Sequence, residues 1–582
     1  MNEDVFLQFE FPDESGKQSP HTFTEPLHIL TSSTIEGVQQ VFQDVDCYLE
    51  EGFYVAGYVS YEAAPAFDPA LNVHDNPNWP LVWFGVFKEP TRSDVPDEAP
   101  YQASEWQLKG DFASYQQGIE QIKEAIERGD TYQVNYTTRL ETDFKGDDWS
   151  FYRQLTRNQQ SSYSAYLRMG PRRLLSASPE LFFRIDEGRL TTKPMKGTAK
   201  RGRTVQEDQE QIEHLLTSEK EQAENLMIVD LLRNDVGRIA KSGTVRVPRL
   251  FEVETYPTVH QMTSTVQGEL SEEYTMYNVF RALFPCGSIT GAPKVRTMEY
   301  IRELEDSPRD VYCGAIGFMT PNREAVFNVP IRTVMVDQEA EEAVYGTGGG
   351  VTWDSTSKGE YEEILTKARL LTESRPVFSL LETLKLEEGV YPLLDKHLQR
   401  VQSSAVYFGR ACPVDDIRDH LEKLARKHPT GAYKVRLLVE EKGSWNISVD
   451  EIADPPAKIT CKLAKSPVDE QNPFLFHKTT HRLVYEEHYD PDAYTVLLWN
   501  TRQQLTEFTI GNLVVKMNGH YFTPPVNSGL LAGTFRERLL EEGAIRERVL
   551  HLHDLLECEE VWFINGVRGW IEVELSWEGD LT

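Results

Sequence analysis

A chain of 582 residues is longer than one hydrophobic core organises, so at least two domains are expected. Its 92 acidic against 60 basic residues give a formal charge of −32, which argues against nucleic acid or an anionic membrane as a partner. Six widely separated cysteines without a CxxC pair argue against a disulfide scaffold or a zinc ribbon. No stretch reaches the roughly 20 apolar residues of a membrane helix. The start shows no basic segment leading into an apolar run, so a soluble protein of the reducing cytoplasm is the expectation.

Residues 1–100 alternate short apolar runs with turns, and Phe53-Tyr-Val-Ala-Gly-Tyr-Val-Ser-Tyr61 and Leu81-Val-Trp-Phe-Gly-Val-Phe87 predict strands buried on both faces. A helix is predicted over 111–130 with Asp111 as its cap. Strands follow at 131–142, 163–169, 172–176 and 181–192, then one long helix at 205–240, a strand pair near 325–352 and a helix at 357–373. Helical periodicity stops at Thr372-Glu-Ser-Arg-Pro376, and a new strand begins at Val377. The second half predicts strands at 377–386, 433–439, 456–463, 495–500 and 513–516 and helices at 393–408, 414–427 and 531–541. The predicted class is α/β (α+β). Its domains are expected at 1–372, divided into an N-terminal segment over 1–105 and a main segment over 110–372, and at 377–582.

The chemistry of the first half centres on Pro194-Met195-Lys196-Gly197-Thr198. Lys196 lies between a proline-pinned residue and a glycine that admits close approach of a ligand. Surface charge, anion contact and nucleophile all fit that pattern. Glu221 and Glu224 are spaced i,i+3 on one helix face, and Glu360 and Glu363 repeat the spacing with Lys367 one turn on. Either pair alone reads as a solvated face; two pairs from distant helices supply the oxygen ligands that magnesium takes. The turn Gly287-Ser-Ile-Thr290-Gly291-Ala292-Pro-Lys294 can present backbone N–H groups to a carboxylate or phosphate. Gly346-Thr-Gly348-Gly349-Gly350 follows a predicted strand and does not fit a dinucleotide fingerprint.

These stretches, together with Ser178-Pro-Glu-Leu-Phe-Phe183, Glu224-Asn-Leu-Met-Ile-Val-Asp-Leu-Leu-Arg-Asn-Asp235 and Pro330-Ile-Arg332-Thr333, resemble over roughly 110–370 the chorismate-utilising enzymes. That family includes anthranilate synthase, isochorismate and salicylate synthases, and aminodeoxychorismate synthase component I. The resemblance implies two facing sheets with surrounding helices and chorismate as substrate. It implies magnesium at Glu224 and Glu363 with Glu221 and Glu360 alongside, and Arg332 and Tyr312 on the enolpyruvyl carboxylate. Thr290, Gly291, Ala292, Gly348, Gly349 and Lys367 would surround the substrate, and His260 would stand near the departing ring hydroxyl. The family position of Lys196 is alanine in anthranilate and isochorismate-type enzymes and lysine in aminodeoxychorismate synthases. A lysine that first attacks ring carbon 2 lets ammonia enter at carbon 4 and release it, splitting one hard step into two. No Gly-x-Cys-x-Gly glutaminase element is present, so ammonia is expected from a glutamine amidotransferase partner or from solution.

In the second half, Phe476-His477-Lys478, Leu505-Thr-Glu507 and Ser528-Gly-Leu-Leu-Ala-Gly533-Thr534-Phe535-Arg536 follow His397-Leu-Gln-Arg400. A lysine for a Schiff base, an acid for a pyridinium nitrogen, and a helix start with an arginine for a phosphate are the components of a pyridoxal phosphate site. In this order they resemble, over about 377–575, the class IV, fold-type IV pyridoxal phosphate enzymes of two small α/β subdomains, which include branched-chain and D-amino acid aminotransferases and aminodeoxychorismate lyase. The resemblance implies that Lys478 holds the cofactor and Glu507 the ring nitrogen. It places the phosphate on Arg400, Gly533, Thr534 and Phe535, and aligns Thr383 loosely with a substrate-side position. Phe535 stands where many relatives carry a hydroxyl. Pairing into a homodimer through this domain is a further expectation. The two resemblances together imply conversion of chorismate to para-aminobenzoate for folate synthesis. The alternatives are anthranilate synthase activity joined to an amino acid aminotransferase, or a second half without catalysis.

Overall fold

The computed structural model describes residues 4–13, 16–91, 96–452 and 456–577, and the chain divides into two compact units. The first comprises Met1–Lys200 and Ile212–Arg375, the second Arg201–Gln211 and Pro376–Thr582. No helix among the described residues is long and apolar enough to cross a membrane.

Two ten-stranded antiparallel sheets form the first unit. In one, the long strand Gln133–Gly146 lies between Glu342–Val351 and the two-residue strand Gly291–Ala292. In the other, Val259–Glu269 pairs with both Met195–Lys200 and Arg189–Lys193. Strands Tyr54–Val59 and Val82–Phe87 pair with each other in that second sheet and are buried nearly throughout, which explains why they read as unbroken apolar runs rather than alternating ones. The core between the sheets is aromatic, with Phe9, Phe23, Phe42, Phe84 and Phe327 fully buried. The helix Phe112–Glu127 starts at Asp111, whose carboxylate accepts from the Ser114 N–H in a capping box.

Three predicted elements are subdivided. The helix over 205–240 is two helices, Val205–Thr217 and Glu219–Gly237, because Ser218 leaves the helical region and caps the second through the Glu221 N–H. The strand over 181–192 folds back at Glu187-Gly188, both at positive φ, into Leu181–Asp186 and Arg189–Lys193. The strand pair near 325–352 is three strands, Ala325–Asn328, Thr333–Asp337 and Glu342–Val351.

The second unit holds a three-stranded antiparallel sheet, Leu380–Glu387, Ala432–Val439 and Trp445–Glu451, packed on the helices Leu394–Tyr407 and Val414–Lys427. An eight-stranded mixed sheet follows, and an extra pairing of Leu505–Phe508 with Gly511–Met517 curls it toward closure. The short helix Thr534–Glu541 begins at Gly533.

Candidate active sites

Lys196 sits on the strand Met195–Lys200, where Gly197 at φ +99 breaks the register with Val259–Glu269. Its backbone carbonyl accepts from the Asn225 amide at 3.0 Å, and Asn225 is itself held by the Ser264 hydroxyl at 2.6 Å. This polar pin fixes the strand to the helix Glu219–Gly237, which carries Glu221 and Glu224. The Lys196 amine pairs with Glu224 at 3.4 Å, both side chains 20% exposed. A Cβ on Gly197 would lie 3.1 Å from the Glu221 carboxylate, so the glycine makes room for that acid.

The Gly-rich strand supplies the facing wall. A Cβ on Gly350 would come within 2.8 Å of the Lys196 amine and collide with the Gln133 amide. On Gly349 it would lie 2.8 Å from Glu360 and 3.5 Å from Glu363. Glu224 thus pairs with Lys196 directly, and the Lys196 charge also acts on Glu360 and Glu363. Burial and the neighbouring Glu363 charge push the Glu360 carboxyl up, while Ser355 donates to it at 2.6 Å. Burial acts on Glu363 in the same direction, but Lys367 and Lys196 outweigh it and hold that carboxyl down. Lys367 pairs with Glu363 and donates to the Gly348 carbonyl at 2.7 Å. Two carboxylate pairs from two helices supply oxygen donors of the kind magnesium takes; among the described residues the group of three whose ligand atoms already lie within 4.8 Å of one another is His551, His553 and Asp554.

The remaining expected residues are placed less uniformly. Arg332, at φ +54, donates to the Lys367 carbonyl at 3.1 Å, and Tyr345 donates to the same oxygen at 3.2 Å. Tyr312 is buried against Gly346 and under the Arg139 guanidinium; Tyr345 is the tyrosine beside Arg332. Gly291 and Ala292 pair with Val134 and Gln133, and Thr290 bonds back to the Cys286 carbonyl at 3.2 Å. Lys294 is tied to Asp235 at 2.9 Å, which accounts for that cation without a ligand. His260 is fully buried with Nδ1 3.0 Å from the Thr255 hydroxyl.

Two further residues of this site are not among the expected ones: Gln133, which stands outside the stretches that carry the resemblance, and Glu180, whose stretch marks the resemblance without giving it a role. Gln133 is 1% exposed, stands beside the Lys196 amine across Gly350, and its Oε1 has no hydrogen-bond partner. Glu180, from the Ser178-Pro-Glu stretch, is buried with Oε1 likewise unpaired. Burial pushes its carboxyl up to about 7 against the pull of Ser288 and Lys196. An acid that close to neutrality and within the field of a lysine is a candidate proton carrier.

In the second unit, Lys478 is half-buried; burial first, then the Arg400 charge, lowers its amine to about 8. Glu507 is buried on Leu505–Phe508 and accepts from the Tyr485 hydroxyl at 2.9 Å, the Leu531 N–H at 3.1 Å and the Asn512 amide at 3.1 Å. Burial nevertheless raises its carboxyl to about 7. Arg400 is bound through two nitrogens to Glu382, at 2.8 and 2.7 Å, and donates to the Ala532 carbonyl at 3.0 Å. Glu382 also takes His397 Nδ1 at 2.6 Å. Burial opposes ionisation there, yet Arg400 and His397 hold this carboxyl far below its usual range.

The first-turn amides of Thr534 and Phe535 open the helix at Gly533, and a Cβ on Gly566 would lie 3.2 Å from the Thr534 hydroxyl. The Phe535 side chain is buried among Leu393, Val514 and Leu539, which leaves its backbone N–H as the group it can offer. Strand alternation turns Thr383 to the face opposite Glu382, in register with Arg436. A low-set lysine, a buried protonatable acid, and an arginine with a helix start around a glycine gap fit pyridoxal phosphate.

Residues 92–373 match the chorismate binding enzyme family, and residues 379–575 match the amino-transferase class IV family. The chain is 40% identical over 278 residues to the aminodeoxychorismate synthase component 1 of Salmonella typhimurium, covering 48% of this chain and 61% of that protein. It is 39% identical over 269 residues to the anthranilate synthase component 1 of Aquifex aeolicus, covering 46% and 54%. The chain thus spans less than two thirds of the length of these curated relatives. The solved anthranilate synthase component I of Streptococcus pneumoniae TIGR4 shares the fold at TM-score 0.51 and 24% identity, over 63% of this chain and 90% of that one.

Proposed function

We propose that this chain, a chorismate binding enzyme domain followed by an amino-transferase class IV domain, converts chorismate to para-aminobenzoate in two reactions. The observation that carries the reading is the Lys196 amine, set among carboxylates at the glycine wall of the first site. Relatives of both anthranilate and aminodeoxychorismate type align at similar identity, so the choice rests on this lysine and not on overall likeness.

In the first reaction Lys196 is the nucleophile. Glu180 takes a proton from the ammonium, the amine bonds to ring carbon 2, and the carbon 4–oxygen bond breaks as Glu180 returns the proton to the leaving hydroxyl, which departs as water. Ammonia then bonds to carbon 4, the carbon 2–nitrogen bond breaks, and Lys196 is restored. Gln133 offers an unpaired amide oxygen as an acceptor at the same wall. Glu221, Glu224, Glu360 and Glu363 would hold magnesium, which supplies positive charge for the substrate carboxylate. Arg332 is proposed for the second carboxylate, with Tyr345 as the tyrosine beside it, and His260 is a second proton-transfer candidate. Ammonia is drawn from a separate amidotransferase chain.

In the second reaction pyridoxal phosphate, when bound, supplies an electron sink for the carbon that bears the new amine. Lys478 holds the cofactor and then removes the proton from that carbon. The bond from the neighbouring carbon to the enolpyruvyl oxygen breaks, the ring becomes aromatic, and the proton ends on the methylene of the departing pyruvate. Glu507 keeps the ring nitrogen protonated, and Arg400 with the Thr534 and Phe535 amides carries the phosphate.

Incubation with chorismate, magnesium, ammonia and pyridoxal phosphate tests both halves by product identity. Para-aminobenzoate and pyruvate in equal amounts are expected. Anthranilate overturns the first half of the proposal, and accumulation of the aminated, non-aromatic intermediate overturns the second.

A further inference from the structure

Residues Arg201–Gln211 pack with the second unit, although they follow directly on the strand that carries Lys196. The strap is braced internally, Arg201 to Asp208 at 2.9 Å and Arg203 to Glu207 at 3.0 Å. A Cβ on Gly202 would collide with Glu207 and the Asp208 amide. Arg201 lies over the Tyr407 ring at 4.4 Å and donates to the Tyr407 carbonyl at 2.7 Å, and the Tyr407 hydroxyl donates back to the Gly202 carbonyl at 2.8 Å.

Two further contacts of the strap fall on the residues that precede Lys478. Arg203 covers the Phe476 ring at 4.8 Å and donates to the Glu470 carbonyl at 3.2 Å. His477 Nε2 stands 3.1 Å from the Arg203 carbonyl, and Nδ1 stands 3.0 Å from the Ser404 hydroxyl. A carbonyl only accepts, so Nε2 carries the proton, and Nδ1 of the neutral ring accepts from Ser404. Burial supports the neutral form, lowering this imidazole to about 4. The His477 ring also stacks on Tyr407 at 4.2 Å. Downstream, the Lys478 carbonyl accepts from the Leu381 N–H and the Thr480 N–H donates to the Ser379 carbonyl, each at 2.9 Å. The unit's own edge strand thus holds one side of Lys478 and the strap holds the other.

We propose that the strap Arg201–Arg203 positions Lys478 for pyridoxal phosphate through His477, so that the segment leaving the first lysine frames the second. This rests on the reading of Lys478 as the cofactor lysine. A flexible four-carbon side chain needs its base fixed to within about 0.5 Å for productive bonding, and His477 is the link that transmits the strap's position to the adjacent residue.

The test uses the full chain with His477→Phe, which keeps a ring on Tyr407 but loses both hydrogen bonds, and His477→Gln, which restores a donor at the reach of Nε2. Pyridoxal phosphate affinity and the visible absorption band are measured alongside thermal melting without cofactor. Positioning predicts that His477→Phe weakens binding about tenfold and shifts the band, on the scale of lost support around a bound group, while His477→Gln recovers most of both. Wild-type affinity and spectrum in His477→Phe overturn the proposal. So does an equal loss in both variants that follows the melting temperature, since that is stability alone. If the wild-type chain itself gives no visible band and borohydride fixes no cofactor on Lys478, it is the reading of Lys478 that fails, not the role of the strap.

Discussion

The two lysines that organise this chain are prepared in opposite ways. Lys196 is ion-paired with Glu224, faces the Glu360–Glu363 pair across the glycine wall, and has a near-neutral acid, Glu180, in its field. Lys478 has Arg400 and Arg482 as neighbours, and the acid nearest to Arg400, Glu382, is already consumed by that arginine and His397. Lys478 is relieved of its proton by burial first and by the Arg400 charge second, against the opposing pull of Glu382 and Glu507. The first arrangement suits a site that also gathers a cation and a dicarboxylate. The second suits a site that binds one phosphate and keeps its amine ready.

Exchanging each lysine for alanine gives the widest separation between the sites. Lys196→Ala should lower ammonia-dependent amination of chorismate by roughly a thousandfold or more, the scale of a lost covalent nucleophile, while the visible cofactor band stays unchanged. Lys478→Ala should remove the band and leave consumption of chorismate intact. A Lys196→Ala enzyme that aminates carbon 4 at the wild-type rate would refute covalent catalysis there.

A smaller effect sharpens the role of the proton carrier. Glu180→Gln preserves shape and keeps a polar group but cannot shuttle a proton, so kcat for amination should fall about a hundredfold with KM for chorismate nearly constant. If KM rises while kcat holds, Glu180 binds substrate and the ion-paired lysine loses its proton elsewhere.

How far these sites are legible in the sequence depends on whether a role lies in local spacing or in long-range pairing. The i,i+3 spacing makes Glu221 with Glu224 and Glu360 with Glu363 legible as candidate pairs, while the role proposed for Lys196 comes from the family resemblance and not from its local pattern. Gln133 carries no such signal; it faces Lys196 only because its strand pairs with the Gly-rich strand at Val351 and with Ala292 on the other side. Glu180 lies inside a stretch that marks the family, but a carboxyl between Pro179 and Leu181 says nothing of its burial until the sheets close over it. In the Leu381-Glu-Thr-Leu run the loose alignment selects Thr383, whereas the period-two pleat turns Glu382 toward His397 and Arg400. The strap is hidden by its helical periodicity: Val205–Thr217 reads as the start of a long helix, and nothing local tells which unit its first turns will pack against.

The smallest effect concerns pH and tests the cationic setting of Lys478 directly. Only the free amine bonds to an aldehyde, and an ordinary lysine, at 10.5, reaches that form well above neutrality; burial and Arg400 bring this one to about 8. The fraction of free amine therefore rises with pH up to that point and flattens above it, falling about tenfold for each unit below. Borohydride-trapped incorporation of pyridoxal, which lacks the phosphate and so does not depend on Arg400 as a ligand, should show its bend near pH 8. Arg400→Met removes a cation from the field of Lys478 and leaves Glu382 with His397 as its remaining partner, and both changes favour the ammonium. The bend should then move toward higher pH. A bend that stays in place assigns the lowered amine to burial alone, and one that moves down contradicts the electrostatic contrast between the two lysines.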